Sequence, residues 1–321
     1  MLNEMKISIG YEIRNGPWGG GNQVLVSLKD HLVSKGAKIV DQLEKDLDLI
    51  MIVNPRSGTF SLKELKKYKK YNSKVKIIHR INETDKAKNI NKIDRSRLEA
   101  SNISDAVIFI SDWVKNYYIQ KGFNKNIFYT VINNGPNENI FNSYGYIPWN
   151  KQEPLKIVTH HWSDNLMKGA DIYQRFDELL DDLWMKKHFE FTYVGRLPKE
   201  VNFKNAKVVA SLTGEALAKE LKKHHVYLTA ARWESCGMHQ LEGALCGLPV
   251  LYINEGGGVV ETCQGFGIEF TKSNFAVSLF RMLEQYSVLR EQIKTFPFKS
   301  SVMNHKYEEF ISKVCNDIGV E

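Results

Sequence analysis

Long apolar runs are missing from this chain of 321 residues. No stretch approaches the ~18 residues that a bilayer-spanning helix needs. The first residues carry charge and lack the apolar core of a secretion signal. The expected compartment is therefore the cytoplasm. Cysteine is scarce: Cys236, Cys246, Cys263 and Cys315 show neither a C-x-x-C pair nor metal-ligand spacing. Their expected state is buried thiol, not a disulfide framework. Three cofactor signatures are also missing. No G-x-G-x-x-G with a later acidic residue follows the first apolar segment, which argues against a nicotinamide-dependent dehydrogenase. The glycine loop 16–21 lacks the G-K-[ST] ending of a phosphate-binding P-loop. Asp46-Leu-Asp48 alone has the D-x-D spacing of a metal-dependent transferase, and it runs into a segment that reads as a buried strand.

What is present is an ordinary globular composition, 43% hydrophobic and 25% charged, which excludes long disorder. The length suits two domains of about 150 residues each. The formal net charge is +7. Much of the excess lies between Lys63 and Lys76, around Lys66-Lys67-Tyr68-Lys69-Lys70. Such a run usually forms a solvated helix face. The sharper reading is weak attraction to an acidic membrane face or to an anionic acceptor.

The first half alternates strands and helices. Strands are expected at 5–10, 47–53, 75–79, 106–110 and 128–132. A helix is expected over 22–35, and Ser61 with Glu64 has the spacing of a capping box for a second. Residues 142–154, rich in Asn, Tyr, Gly and Pro, read as a linker. The rhythm then restarts. Strands are expected at 155–159, 189–194, 226–229 and 249–253. Helices are expected from 168, over 214–223 and over 238–246, with an amphipathic one at 300–318. The implied architecture is α/β, with two doubly wound, Rossmann-like domains facing across a cleft. Residues 1–150 form the first, 151–299 the second, and 300–321 a helix that packs back on the first.

The segment Glu234-Ser-Cys-Gly-Met-His-Gln-Leu-Glu242 follows an expected strand. Gly237 permits close approach of a ligand, and a helix N-terminus there suits phosphate. Two carboxylates eight residues apart along a helix stand about 12 Å apart, the scale of a nucleoside diphosphate sugar. One could hold sugar hydroxyls and the other ribose hydroxyls.

This segment resembles the E-x7-E motif of retaining glycosyltransferases with the GT-B fold, the GT4-type group. Its continuation, Glu242-Gly-Ala-Leu-Cys-Gly-Leu-Pro-Val250, is similar to the family's E-A-x-A-x-G-x-P-V. Asn254-Glu-Gly-Gly-Gly258 with Glu261, Ser104-Asp-Ala-Val-Ile-Phe-Ile-Ser111, and Val131-Ile-Asn-Asn-Gly-Pro-Asn137 with Phe141 resemble further family elements, in family order. The resemblance implies that Glu234 contacts the donor sugar and Glu242 the ribose. The run Ser235, Cys236, Gly237 and Met238 would face the donor, the last three through backbone N–H groups. Lys168-Gly169 matches the family's K-G, so Lys168 would grip the diphosphate. The arginine expected before it is absent. His161, Ser163 or Asn165 would take part of its contact, and Arg196 would serve the phosphate as well. By the same resemblance Gly19, Gly20 and Gly21 would lie over the donor phosphates, and His79, ending a strand of the first domain, would approach the reacting sugar. Arg80 and Asn82 are weaker acceptor-side candidates.

The implied reaction is retaining, metal-independent transfer of a sugar from a nucleotide-diphosphate sugar, a UDP- or GDP-sugar first, to an acceptor hydroxyl. The acceptor would be a glycan or a lipid- or protein-linked group in glycan, polysaccharide or glycoconjugate biosynthesis. Catalysis would rest on His79, Glu234 and Lys168, with no cofactor and no nucleic-acid partner. A nucleotide-sugar 2-epimerase and a non-catalytic nucleotide-sugar-binding protein on the same fold are the alternatives.

Overall fold

The computed structural model describes residues 2–14, 19–56 and 58–316. The chain divides into two compact units, Met1–Gly135 with Ser300–Glu321, and Pro136–Lys299. The elements of the first are β1 (Lys6–Gly10), α1 (Gly20–Ser34), β2 (Lys38–Val40), β3 (Leu49–Ile52), α2 (Leu62–Tyr71), β4 (Lys76–Ile81), α3 (Asp85–Lys88), α4 (Ile93–Ser101), β5 (Ala106–Phe109), α5 (Asp112–Gln120) and β6 (Phe128–Val131). The second holds β7 (Leu155–His161), a 3-10 turn (Leu166–Lys168), α6 (Ala170–Leu179), α7 (Leu183–His188), β8 (Phe189–Gly195), β9 (Lys207–Val209), α8 (Gly214–Leu221), β10 (Val226–Thr229), α9 (His239–Leu245), β11 (Val250–Ile253), α10 (Gly258–Cys263), β12 (Gly267–Phe270) and α11 (Phe275–Ile293). The last helix, α12 (Ser300–Cys315), returns to the first unit.

Each unit is built on a six-stranded sheet, ordered β2-β1-β3-β4-β5-β6 and β12-β11-β10-β7-β8-β9. Every pairing is parallel. Central strands such as β3 and β10 are buried throughout, so they read as continuous apolar runs without alternation. The strands absent from the sequence reading are β2, β9 and β12, and all three lie at sheet edges. Edge strands are half-solvated and short. Lys38-Ile-Val and Lys207-Val-Val carry too little apolar signal to stand out.

Local signals account for several ends. Ser61 accepts from the Glu64 N–H at 3.2 Å and Glu64 accepts from the Ser61 N–H at 2.8 Å, closing the capping box of α2. In the first unit, α12 packs on α1. Its Asn304 donates to Ser27, Phe310 stacks on Phe128, and the Tyr307 hydroxyl accepts from Arg80. Among the described residues no helix is long and apolar enough to cross a membrane.

Residues 136–154 belong to the second unit, which places the division some fifteen residues before the boundary read at 150. The cause is polar pinning. The buried Tyr286 hydroxyl lies 2.7 Å from the Tyr146 hydroxyl and accepts from the Trp149 N–H at 3.0 Å. Lys222 Nζ donates to Asn142 Oδ1 and to the Tyr144 carbonyl, both at 3.1 Å. Composition marked this stretch as a linker, but its tyrosines and tryptophan tie it down. Replacing Tyr286 by Phe removes the acceptor of the Trp149 N–H and should cost about 1–3 kcal/mol. A lower urea midpoint at unchanged slope, with faster amide exchange at Trp149, is the expected result.

Candidate functional site

In the second sheet the chain runs from β7 outward through β8 to β9, then returns to place β10 on the other side of β7. The loops after β7 and β10 therefore flank the switch point at the carboxyl edge, the crevice where doubly wound sheets bind ligands. The strands also part there. β7 pairs with β8 along all seven residues, but with β10 only at Ile157–Val226 and Val158–Tyr227. Beyond that point the strands part, and tyrosine hydroxyls replace the missing ladder. The His160 N–H donates to the Tyr227 hydroxyl at 3.2 Å, and the Ala230 N–H to the Tyr173 hydroxyl at 3.1 Å. Buried backbone donors need such partners.

The two loops meet again past the crevice. Gly169 has φ +95°, and a Cβ there would lie 2.4 Å from the Ala230 Cβ. Only glycine permits this approach. Arg232 donates its backbone N–H to the Met167 carbonyl at 2.9 Å and clamps Asp171 through two guanidinium bonds of 2.8 and 2.9 Å. Arg232 Nε reaches Glu255 at 3.2 Å, which joins the loop after β11.

Against this framework Lys168 Nζ donates to Glu234 Oε1. The pair is partly open, with side-chain exposures of 25% and 21%. Glu234 itself is fixed by backbone. It forms a parallel bridge with Gly257, its N–H donates to the Gly256 carbonyl at 3.1 Å, and its carbonyl accepts from the Gly258 N–H at 2.7 Å. Trp233 just before it sits at φ +56°, an unusual backbone for a bulky residue that a tightly held loop can maintain. Glu242 lies in the first turn of α9. Its Oε2 accepts from His160 Nε2 at 2.8 Å. His160 Nδ1 is then left to accept the Tyr227 hydroxyl proton at 3.1 Å.

Solved structures with a similar fold span the chain. Sucrose-phosphate synthase from Thermosynechococcus elongatus superposes with a TM-score of 0.73 at 13% identity, covering 98% of this chain and 100% of that one. Starch synthase IV of Arabidopsis thaliana, whose catalytic domain was solved with ADP and acarbose, gives 0.71 at 11% identity over 98% and 100%. Anabaena HepE, solved with UDP and glucose, gives 0.68 at 12% identity over 97% and 100%. The fold is the GT-B fold. No protein-family model and no curated protein matches the chain.

The structure brings Lys168, Glu234 and Glu242 to one edge of one sheet. Ser235, Cys236 and Met238 are buried beside them. A Cβ on Gly237 would meet Gln240 Oε1 at 2.5 Å. The helix starts at His239, one residue later than read, and is only seven residues long. Ser163 is half-buried and accepts from the Asn165 N–H at 3.3 Å, and Asn165 in turn accepts from the Met167 N–H at 2.9 Å. Arg196 lies exposed with its guanidinium 4.3 Å from the Trp162 ring, and its N–H donates to the His161 carbonyl at 3.2 Å.

Two of the expected histidines turn inward. His79 does not end its strand. β4 continues to Ile81, and Arg80, expected as a weaker acceptor-side candidate, is buried and donates to the Tyr307 hydroxyl and to Asn134 Oδ1, each at 2.8 Å. His79, on the opposite face of the strand, is 0% exposed, with Nδ1 3.1 Å from the Ser101 hydroxyl, and burial drives its pKa well down. In this conformation the ring presents no surface to a ligand. His161 also points inward. Its Nε2 lies 2.7 Å from the Tyr173 hydroxyl, and burial holds it neutral. Its neighbour His160 takes the opposite face, as strand alternation requires, and meets Glu242. Sequence reading missed His160. The available signal was the same alternation, applied to a His-His pair at a strand end. Gly20 and Gly21 lie in the first turn of α1 and Gly19 caps it, all in the first unit, while 16–18 fall outside the described residues.

Burial lowers the pKa of His239 to about 3 and of His224 and His225 to about 4 each. Folded-state values below the unfolded 6.5 mean that the unfolded chain binds more protons between pH 6.5 and 4. Stability should therefore fall as pH drops through that window and should not change through these groups above it. Unfolding midpoints taken from pH 7 to 4.5 should decline, and His239→Gln should make the decline shallower.

Proposed function

We propose that this chain is a retaining glycosyltransferase that transfers a sugar from a nucleotide-diphosphate sugar to an acceptor hydroxyl. The observation that carries the reading is the Lys168–Glu234 pair at the switch-point crevice of the second sheet, with Glu242 eight residues on at the same edge. The similar folds of proteins solved with UDP and glucose, or with ADP and acarbose, favour a nucleoside diphosphate as the leaving group. The retaining course is inferred from the E-x7-E resemblance.

In this scheme the donor replaces the internal partners. Lys168 turns from Glu234 to the diphosphate, where its charge meets the negative charge that grows as the sugar departs. Glu234, released, accepts from hydroxyls of the transferred sugar. Glu242, held by His160, accepts from the ribose. Backbone N–H groups of 236–238 face the donor, and Arg196, stacked on Trp162 where β7 ends, supplies the guanidinium that the Lys168 loop lacks. Ser163 and the glycines 19–21 are proposed as further donor contacts. No metal is required in this scheme. A glycan, or a lipid- or protein-linked group, is the proposed acceptor, with glycan or polysaccharide biosynthesis the setting and the cytoplasmic face of a membrane a fitting place for it.

Purified protein should be stabilised by one of the UDP-, GDP- or ADP-sugars in a thermal-shift screen, by mass action on the folded state. Glu234→Gln and Lys168→Ala should each lower transfer at least tenfold, the scale on which charged contacts to a leaving group act, while both remain folded by circular dichroism. Near-normal turnover in both variants sinks the assignment.

A further inference from the structure

The carboxyl edge of the first sheet holds a group of charges that the proposed donor chemistry does not use. Asn54 and Arg56 follow β3, Asn82 and Glu83 follow β4, Lys88 ends α3, and Arg97 projects from α4. Parallel strands put both loops at the same edge, where ligands of such sheets bind.

Three cations turn to Glu83. Arg97 Nη2 lies 3.2 Å from its Oε2, Arg56 Nη2 3.8 Å from the same oxygen, and Lys88 Nζ 3.6 Å from Oε1. Three cations share this one carboxylate. Arg97 is the costly member. It is 0% exposed, and its other contacts are neutral amide oxygens, Asn54 Oδ1 at 3.4 Å and Asn82 Oδ1 at 3.2 Å. Its Nε is buried with no hydrogen-bond partner. Burial pulls its pKa down, Glu83 opposes that, and Arg56 adds repulsion. A buried guanidinium normally has its donors satisfied and its charge matched. Here Glu83 serves three partners at once and is itself 27% exposed, on the solvent side of Arg97.

We propose that this edge of the first unit binds an oxyanion, the phosphate or carboxylate group of a soluble ligand, through Arg56, Arg97 and Asn82, with Glu83 as the internal carboxylate that the ligand displaces. Paired guanidinium groups match such oxyanions by bidentate bonding. Assigning the oxyanion to an acidic acceptor rests on the glycosyltransferase reading above; the binding site itself does not.

The test uses the full chain carrying Lys168→Ala, which weakens phosphate binding on the second unit. Melting is followed against inorganic phosphate and acetate at constant ionic strength, so that screening does not vary. Phosphate, acetate or both should raise the melting temperature. Arg56→Gln, at an exposed side chain, should weaken the response by roughly threefold or more, and Glu83→Gln should strengthen it by a similar factor. The opposite sign for Glu83 matters, because a carboxylate that merely braces the loops would, on removal, lower stability without improving anion binding. No response to either anion overturns the proposal, as does an equal response in Arg56→Gln or a weaker one in Glu83→Gln. Binding seen only with phosphatidic acid in phosphatidylcholine vesicles, and with neither soluble anion, overturns it too. Nucleotide-sugar stabilisation of the parent chain, measured alongside, should survive Arg56→Gln. Its complete absence would remove the glycosyltransferase reading and leave the anion result standing.

Discussion

Strands β7 and β10 hydrogen-bond over two residue pairs and then separate. The candidate donor site depends on that separation and on the renewed contact beyond it. Parting leaves the N–H groups of His160 and Ala230 without a ladder, and the hydroxyls of Tyr227 and Tyr173 take them. Renewed contact needs a residue without a side chain at 169, where the backbone is left-handed and Ala230 leaves no room. Lys168, next to that glycine, and Glu234, four residues past Ala230, are held within reach by this geometry and by the Arg232 clamp on Asp171. A longer side chain at 169 would separate the loops and unmake the pair.

Each acidic group at the crevice already has a partner. Lys168 holds Glu234 and His160 holds Glu242. Partly buried carboxylates without partners would be costly, so the unliganded protein supplies them internally. In the proposed scheme a donor exchanges the Lys168–Glu234 contact and adds to the His160–Glu242 one. Its net affinity is the difference between two sets of charged hydrogen bonds. The same logic recurs at Glu83 in the first unit, where one carboxylate answers three cations.

Buried histidines give the second unit an acid-sensitive interior. His161, His224, His225 and His239 are all driven toward the neutral form, chiefly by burial. His161 and His239 pack edge-on, 4.9 Å between centroids, among the tyrosines that line the parting strands. Protonating either would place a charge beside Lys168 in a poorly hydrated space.

The sequence by itself determined the α/β class, two sheets, the capping box of α2 and the segment that carries Glu234 and Glu242. These follow from periodicity, turn residues and short motifs, all of which act between near neighbours in the chain. The edge strands β2, β9 and β12 escaped because half-solvated strands carry little apolar signal. Only the tertiary structure decided which side chains meet. It turned His160, not His161, toward Glu242, because strand register selects the face. It buried Arg80, because α12, more than two hundred residues later, brings Tyr307 to receive the guanidinium, and it buried His79 on the other face of the strand against Ser101 of α4. It gathered Arg56, Lys88 and Arg97 around Glu83 from three separate elements. Side-chain partners of this kind depend on long-range packing, which no local pattern encodes.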